Sequence, residues 1–183
     1  MLMTAILAAS LVLTPAELPK SVTTTDGSSF ALSGRKATAI IFLNVSCPIA
    51  NQYQPTFNRM VKEFADKDVK FLGVYIDPTI SKWRVDEHKS DYGMKYDTYV
   101  DKNHQLVKGL KPLVTPTAVV LDSQGKVTYF GRVDDTYPRT GIRRDKPTRE
   151  DLRIALTEIT SSKKVSVPKT EAVGCIIPDI DRG

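Results

Sequence analysis

The 183-residue chain has few of the residues that build metal sites: it contains only two cysteines and two histidines. A zinc site needs four grouped ligands, and neither His88 nor His104 has a partner at ligand spacing. The sequence also lacks a phosphate-binding loop, a Ser-His-Asp arrangement and a dinucleotide-binding fingerprint. We therefore expect no metal and no cofactor, and we expect each histidine to be a surface or capping residue.

A strong charge imbalance is also lacking, since the formal net charge at pH 7 is +5. Basic residues lie next to acidic ones, as at positions 62–63 (Lys-Glu) and 149–151 (Arg-Glu-Asp). Nucleic-acid-binding proteins usually cluster basic residues on one face with aromatic residues between them, so we expect no nucleic-acid partner. Hydrophobic residues make up 41% and charged residues 26% of the chain, which suits one globular domain with its own core.

No apolar run reaches the length of about 20 residues that a membrane-spanning helix needs. Residues 1–13 are apolar and alanine-rich, and small residues at 8–10 and 14–16 would suit a cleavage site. No lysine or arginine precedes this run, so the alternative is an N-terminal strand or helix packed on the domain. We favour a secretory signal peptide, which would place the mature domain outside the cytosol, in a bacterial periplasm or secreted, rather than in the cytoplasm.

The rest of the chain alternates strand and helix patterns, which indicates an α/β fold with a mixed sheet. We expect a hairpin at 21–32, strands at 39–45, 69–76 and 97–100, and a second hairpin at 118–130. Helices are expected at 49–65, 80–92, 102–110 and 148–159. Asp101 would cap the third helix, Thr148 and Asp151 would form a capping box on the fourth, and Trp83 would be a packing residue. The domain would cover 21–162, between an N-terminal segment (1–20) and a C-terminal tail (163–183).

Cys47 lies where the apolar strand at 39–45 breaks into a helix, and Pro48 suits the first turn of that helix. The unpaired N–H groups and the positive end of the helix dipole favour the thiolate, which is the reactive form of cysteine. The alternative is a small buried core residue, as most free cysteines are.

Two prolines complete the pattern around this cysteine. Pro55 follows Cys47 by eight residues within a helical pattern, so the helix is expected to be kinked rather than absent. Further along, Thr115 and Pro116 precede a strand, a turn and a second strand.

These residues resemble the thioredoxin-like superfamily, over roughly residues 21–161. In that superfamily a cysteine ends the first central strand, a proline follows eight residues later, and a cis-proline before a hairpin faces the thiol. The resemblance implies a thioredoxin-like three-layer sandwich, with a mixed central sheet flanked by helices and an N-terminal β-hairpin. It maps the attacking thiol to Cys47, the kink to Pro55 and the cis-proline to Pro116. It also implies a substrate-binding role for Pro48 and for Thr115, whose backbone would be exposed to pair with an extended substrate.

The sequence departs from two branches of that superfamily. Thioredoxins carry a second cysteine three residues after the first, where this chain has Ala50, so vicinal disulfide exchange is excluded. Peroxiredoxins of the alkyl hydroperoxide reductase and thiol-specific antioxidant type have Pro and Thr or Ser before the cysteine and an Arg in a late strand. The corresponding residues here are Ile40, Asn44 and Thr128. The chain does share with that group a C-terminal tail with a cysteine, Cys175, so it resembles a redoxin domain with a single active-site cysteine.

The segment 131–144 is long for a connection between a strand and a helix, and it contains four arginines. They would attract an anionic substrate or stabilise a thiolate, or they would pair with Asp134 and Asp135 in a salt-bridged surface loop, which we favour. Arg132 directly follows a central strand and has the best prospect of a fixed, substrate-binding position near Cys47.

Three functional hypotheses remain open. In the first, Cys47 attacks a disulfide or oxidised sulfur of a protein or small thiol, Cys175 resolves the product, and an external reductant regenerates the thiols. In the second, an antioxidant peroxidase, Cys47 becomes a sulfenic acid and Cys175 condenses with it. In the third, a non-enzymatic binding module, the cysteines form a structural bridge or stay inert. The first requires that the tail folds back within the chain or reaches across a homodimer.

Overall fold

The computed structural model describes residues 18–178. The predicted signal peptide lies almost entirely outside the described residues, as does the end of the tail. The strands are β1 (Ser21–Thr23), β2 (Ser29–Ala31), β3 (Ala37–Leu43), β4 (Val69–Tyr75), β5 (Asp97–Val100), β6 (Val114–Thr115), β7 (Thr117–Leu121), β8 (Val127–Gly131) and β9 (Cys175–Ile176). The helices are α1 (Pro48–Gln52), α2 (Gln54–Glu63), α3 (Lys82–Asp91), α4 (Gln105–Leu110) and α5 (Asp151–Thr160). Within 18–178, no helix is both long and apolar enough to cross a membrane.

A five-stranded sheet with the order β5-β4-β3-β7-β8 forms the centre of the domain. Strand β3 pairs in parallel with β4, which pairs in parallel with β5, whereas β7 is antiparallel to both β3 and β8. All seven residues of β3 are buried, as expected for a central strand covered on both faces. The predicted mixed sheet is therefore confirmed, and the predicted N-terminal hairpin forms a separate two-stranded sheet.

The two faces of the sheet form two hydrophobic cores. Alternate residues of β3 point to opposite faces, so that Ile41 and Leu43 enter one core while Ile40 and Phe42 enter the other. Residues of α1, α2, α3 and α5 line the first core, and residues of the N-terminal hairpin and α4 line the second. This arrangement gives the three layers that the sequence predicts.

The expected helix at 49–65 is divided into α1 and α2 at Tyr53. Pro55 lies in the first turn of α2, where a missing N–H costs no helical hydrogen bond. The kink that the sequence predicts is thus present as a change of helix.

Two expectations about helix starts had different outcomes. The carboxylate of Asp101 accepts hydrogen bonds from the N–H groups of Gln105, Leu106 and Val107 at 2.8–2.9 Å, which confirms it as the cap of α4. The capping box of the last helix is wrong, because Thr148 bonds to Asp135 and the cap residue of α5 makes no side-chain hydrogen bond.

Two expectations about side chains of α3 are also wrong. Trp83 is 69% exposed rather than packed, and His88 is buried, with 2% of its surface exposed. The helix shows only a weak apolar stripe, so its sequence did not indicate which face meets the core.

The C-terminal tail runs back across the domain after α5. It first lies along β8, where Phe130 N–H donates to Pro168 O (2.9 Å) and Thr170 N–H donates to Phe130 O (3.0 Å). Further along the tail, β9 pairs antiparallel with β6. The described part of the tail therefore reaches the strand that precedes Pro116.

Candidate active site around Cys47 and Cys175

Cys47 is the N-cap residue of α1, four residues after the end of β3. Its extended backbone (φ −87°, ψ 107°) ends the loop from β3, and Pro48 opens the helix as the sequence predicts. The Cys47 sulfur accepts a hydrogen bond from Ala50 N–H at 3.4 Å. The sulfur thus meets the N–H groups of the first helical turn, although the residue is only 1% exposed.

The peptide bond between Thr115 and Pro116 is cis, as the resemblance implies. The Cys47 thiol donates a hydrogen bond to the Thr115 carbonyl at 3.0 Å, so the cis-proline segment faces the thiol. Thr115 is fully buried, and its hydroxyl forms no hydrogen bond within the described residues.

Cys175 lies opposite Thr115 in the antiparallel pair of β6 and β9. Its side chain packs against the core cluster that contains Cys47, and the Cys175 thiol contributes to lowering the pKa of Cys47. The two cysteines therefore meet within one chain as free thiols. One expectation needs correction: the Thr115 backbone is not exposed for a substrate, because the protein's own tail already pairs with it.

The pKa of Cys47 reflects a balance between burial and hydrogen bonding. Burial is the largest single influence and raises this pKa, but hydrogen bonds to the sulfur together outweigh it and hold the pKa below its ordinary value. Among the groups that lower this pKa, the neighbouring thiol of Cys175 contributes most, and the N–H group of Ala50 contributes through its hydrogen bond to the sulfur. The geometry therefore favours ionisation at Cys47.

Cys175 shows the opposite behaviour. Burial raises its pKa most strongly, and the neighbouring Cys47 adds to the effect, so that the pKa of Cys175 rises to about 11. Cys175 therefore holds its proton more strongly, while Cys47 is the more readily ionised sulfur. This asymmetry suits Cys47 as the attacking group and Cys175 as a thiol that reacts second.

Gly174 is a residue of this site that the sequence reading missed. A Cβ atom at this position would fall inside van der Waals contact with the Thr115 carbonyl, so any side chain here would push β9 away from β6. The signal available in the sequence was a glycine directly before the tail cysteine.

A partly buried polar network supports the loop that carries Cys47, and the sequence reading missed this network too. Asn51, one helical turn after Cys47, donates to Val45 O (2.9 Å), and its side-chain oxygen faces His88 Nε2 at 2.9 Å. His88 Nδ1 lies 2.8 Å from the hydroxyl of Tyr75. Because Asn51 presents its oxygen, His88 Nε2 carries the proton and Nδ1 accepts from Tyr75.

The guanidinium of Arg132 is engaged in an ion pair and is not free to bind a substrate beside Cys47. Its guanidinium donates to the buried carboxylate of Asp151 at 2.6 Å, and Arg149 binds the other oxygen of the same carboxylate. Arg144 pairs with Asp135, while Asp134 accepts from the Tyr53 hydroxyl at 2.6 Å. The segment 131–144 is thus held by ion pairs and hydrogen bonds, which agrees with the favoured interpretation of a salt-bridged surface loop. Substrate binding by Arg132 stays a prediction, and the ion pair with Asp151 does not favour it.

Across the part of the chain that the structure describes, no three His, Cys, Asp or Glu side chains are grouped in a way that could hold a metal ion. Pro48 is exposed beside the thiol, at the surface next to the site. The chemistry that the site offers is that of two neighbouring thiols.

Solved structures with the same fold include proteins of unassigned and assigned function. An uncharacterized conserved protein from Geobacillus kaustophilus shares 24% identity over 92% of each chain, with a TM-score of 0.76. A hypothetical protein from Sinorhizobium meliloti shares 20% identity over 88% of this chain and 91% of its own, with a TM-score of 0.74. A secreted Mycobacterium tuberculosis disulfide oxidoreductase, described as homologous to Escherichia coli DsbE, shares 17% identity over 78% of this chain and 94% of its own, with a TM-score of 0.53.

These similarities show the fold, which is thioredoxin-like as the sequence predicts. No curated protein matched the sequence. The sequence model of the AhpC/TSA family matches residues 15–130, which include Cys47, Thr115 and Pro116 and make up more than half of the chain. The chain belongs to the AhpC/TSA family.

Proposed function

We propose that the protein is a thiol-disulfide oxidoreductase in which Cys47 attacks oxidised sulfur and Cys175 resolves the product. The observation that carries this proposal is that Thr115 pairs with Cys175 and also accepts the hydrogen bond of the Cys47 thiol, which places the two cysteines next to each other. The lowered pKa of Cys47 and the raised pKa of Cys175 support the assignment of the two roles.

The reaction balances as two thiol-disulfide exchanges. The Cys47 thiolate attacks one sulfur of a substrate disulfide, breaks the S–S bond and releases the other sulfur as a thiolate. Cys175 then loses its proton and attacks Cys47, which forms the Cys47–Cys175 disulfide and releases the second substrate sulfur. The substrate gains two electrons, the protein loses two, and a thiol or dithiol reductant restores the two thiols. Protein and small-molecule disulfides are both suitable substrates, and both exchanges occur within one chain, so no homodimer is required.

A peroxidase is the second candidate, because AhpC/TSA membership favours it. In that reaction the Cys47 thiolate attacks a peroxide oxygen and becomes a sulfenic acid, and the leaving oxygen is protonated. Cys175 then condenses with the sulfenic acid, releases water and forms the same disulfide. The chain lacks the Pro, the Thr or Ser and the Arg that peroxiredoxins have near the cysteine and in a late strand, and has Ile40, Asn44 and Thr128 instead. These differences favour the disulfide reaction over the peroxidase reaction.

An extracytoplasmic location fits the first candidate. The apolar N-terminal segment suits a secretory signal, and one protein of the same fold is described as secreted. A disulfide between Cys47 and Cys175 would persist in such a compartment.

A single-turnover reaction with an aromatic disulfide that releases a coloured thiolate tests the proposal. The reduced wild-type protein should release two coloured thiolates and end with an internal Cys47–Cys175 disulfide, identified by peptide mapping. Cys175→Ser should release one and retain a mixed disulfide on Cys47, whereas Cys47→Ser should lose the fast phase. A wild-type protein that ends with two separate mixed disulfides would refute the resolving role of Cys175. Faster oxidation by hydrogen peroxide than by disulfides, with a sulfenic acid trapped in Cys175→Ser, would favour the peroxidase instead.

A further inference from the structure

The tail of the protein occupies a strand position directly over the reactive sulfur. Cys175 and Ile176 pair with Thr115 and Val114, and Ile177 N–H donates to Leu113 O at 2.9 Å. With the tail in this position Cys47 is only 1% exposed. An external disulfide can reach Cys47 only after β9 has left β6.

The edge of β6 that pairs with β9 can pair with only one strand at a time. A peptide that presents its own cysteine to Cys47 in the same manner must therefore replace the tail. The tail therefore shows which peptide sequences can bind along β6, because it is itself an extended peptide whose cysteine lies opposite Thr115.

The tail shows a strict requirement at the residue before the cysteine. Gly174 lies so close to the Thr115 carbonyl that even a Cβ atom would clash with backbone atoms, which cannot move aside as a flexible side chain can. The requirement is one of space, because Gly174 does not have the positive φ that also selects glycine.

The two residues after the cysteine differ from each other. Ile176 is 82% exposed, so its position accepts any side chain. Ile177 is 2% exposed and packs into the second core, with Val22, Phe30 and Val107 among its members, so its position favours an apolar residue.

We propose that the substrates of Cys47 are cysteines in extended peptide segments of the form Gly-Cys-any residue-apolar, which replace residues 174–177 on β6. The proposal rests on the proposed function, since it specifies which disulfides Cys47 attacks. Cys47 attacks the sulfur of such a peptide disulfide and releases the other sulfur as a thiolate. The peptide then leaves β6 still bonded through sulfur, and the tail returns so that Cys175 can attack Cys47 and release the peptide thiol.

The tail has a fixed point that allows this exchange. Thr170 donates its N–H to Phe130 O, and its hydroxyl contacts Arg132 N–H (3.0 Å) and the Tyr129 hydroxyl (2.7 Å). Residues 171–177 can therefore leave β6 while the tail stays attached at Thr170, which keeps Cys175 at a high effective concentration.

The first test measures how well the tail shields the sulfur. In Cys175→Ser the sole thiol is Cys47, and its alkylation rate by iodoacetamide reports exposure. Adding Gly174→Ala should raise this rate by about tenfold or more, and Ile177→Ala, which removes the buried anchor, should act in the same direction. Ile176→Ala, in the same strand but exposed, is the matched control and should leave the rate unchanged. Equal rates in all four proteins would overturn the proposal.

The second test measures the specificity with synthetic peptides. An acetylated peptide of residues 171–178, with serine in place of cysteine, should protect Cys47 from alkylation in both tail-releasing variants. The same peptide with alanine in place of glycine should not protect. Equal protection by the two peptides, or protection by neither, would overturn the proposal. This experiment measures binding and needs no redox turnover. A lack of protection would therefore refute the peptide specificity only, while the proposed redox function is tested separately by whether the internal disulfide forms in the single-turnover experiment.

Discussion

Cys175 lies opposite Thr115 in an antiparallel pair, and the carbonyl of Thr115 accepts the hydrogen bond of the Cys47 thiol. The residue before the cis-proline therefore positions both sulfurs through its main chain. Because backbone pairing fixes where Cys175 lies, the contact between the sulfurs does not depend on the chance orientation of a mobile tail.

The Cys175 thiol should lower the pKa of Cys47 by donating a hydrogen bond to it. Replacing Cys175 with alanine removes this donor, whereas serine retains a hydroxyl that can donate in the same direction. We expect the Cys47 pKa to be higher in Cys175→Ala than in Cys175→Ser, as followed by the ultraviolet absorbance of the thiolate against pH. Identical titrations of the two variants would contradict a role for Cys175 as donor.

Arg132 should stabilise the fold without tuning the thiol. Its guanidinium is one of two that neutralise the buried Asp151 carboxylate, so Arg132→Gln should lower the free energy of unfolding by about 1–3 kcal/mol. The thiolate titration of Cys47 should stay at its wild-type midpoint. Arg139→Gln, an exposed residue of the same segment, is the control and should change neither quantity. A clear rise of the Cys47 pKa in Arg132→Gln would restore Arg132 to the active site.

The strand-to-helix junction at Cys47 and the α/β order were predictable, because each leaves a local signal in the sequence. The cis bond before Pro116 was predicted only from the resemblance to the thioredoxin-like superfamily. The pairing of Cys175 with Thr115 leaves no local signal: β9 has two residues and no periodic pattern, and its partner is distant in sequence. His88 is buried for a similar reason, since its partners Tyr75 and Asn51 belong to other elements. Contacts of this kind depend on tertiary packing, which residue-by-residue patterns do not contain.

His88 should make the stability of the protein depend on pH. Burial is the main cause that lowers its pKa in the folded protein, and the positive charge of Arg84 adds to it. The unfolded chain binds a proton near pH 6.5, roughly the value of a free histidine, while the folded protein resists protonation until lower pH. Stability is therefore full above about pH 6.5 and is lost as pH falls below it towards the lowered folded value.

The substitution His88→Gln removes this titration and keeps an amide that can bond to Asn51. Urea unfolding between about pH 5 and pH 8 should show a smaller loss of stability in acid for the variant than for the wild-type protein. At neutral pH the variant should be less stable by roughly 1–3 kcal/mol, because the buried Tyr75 hydroxyl loses a well-placed acceptor. Parallel curves for the two proteins would show that another group causes the acid loss.

Oxidation should stabilise the folded protein. Cys175 already pairs with Thr115 and packs against the core cluster that contains Cys47, so we expect a bond between Cys47 and Cys175 to form with little displacement of the surrounding chain. Such a bond closes a long loop and restricts the unfolded state, for which disulfides typically contribute about 2–4 kcal/mol. We expect a higher urea midpoint for the oxidised than for the reduced wild-type protein. The variant Cys175→Ser cannot close the bond and should show the same midpoint with and without oxidant, once mixed disulfides are removed. If mass spectrometry shows the internal disulfide but the wild-type midpoint does not rise, closing the bond must displace the tail or the Cys47 loop from its reduced position.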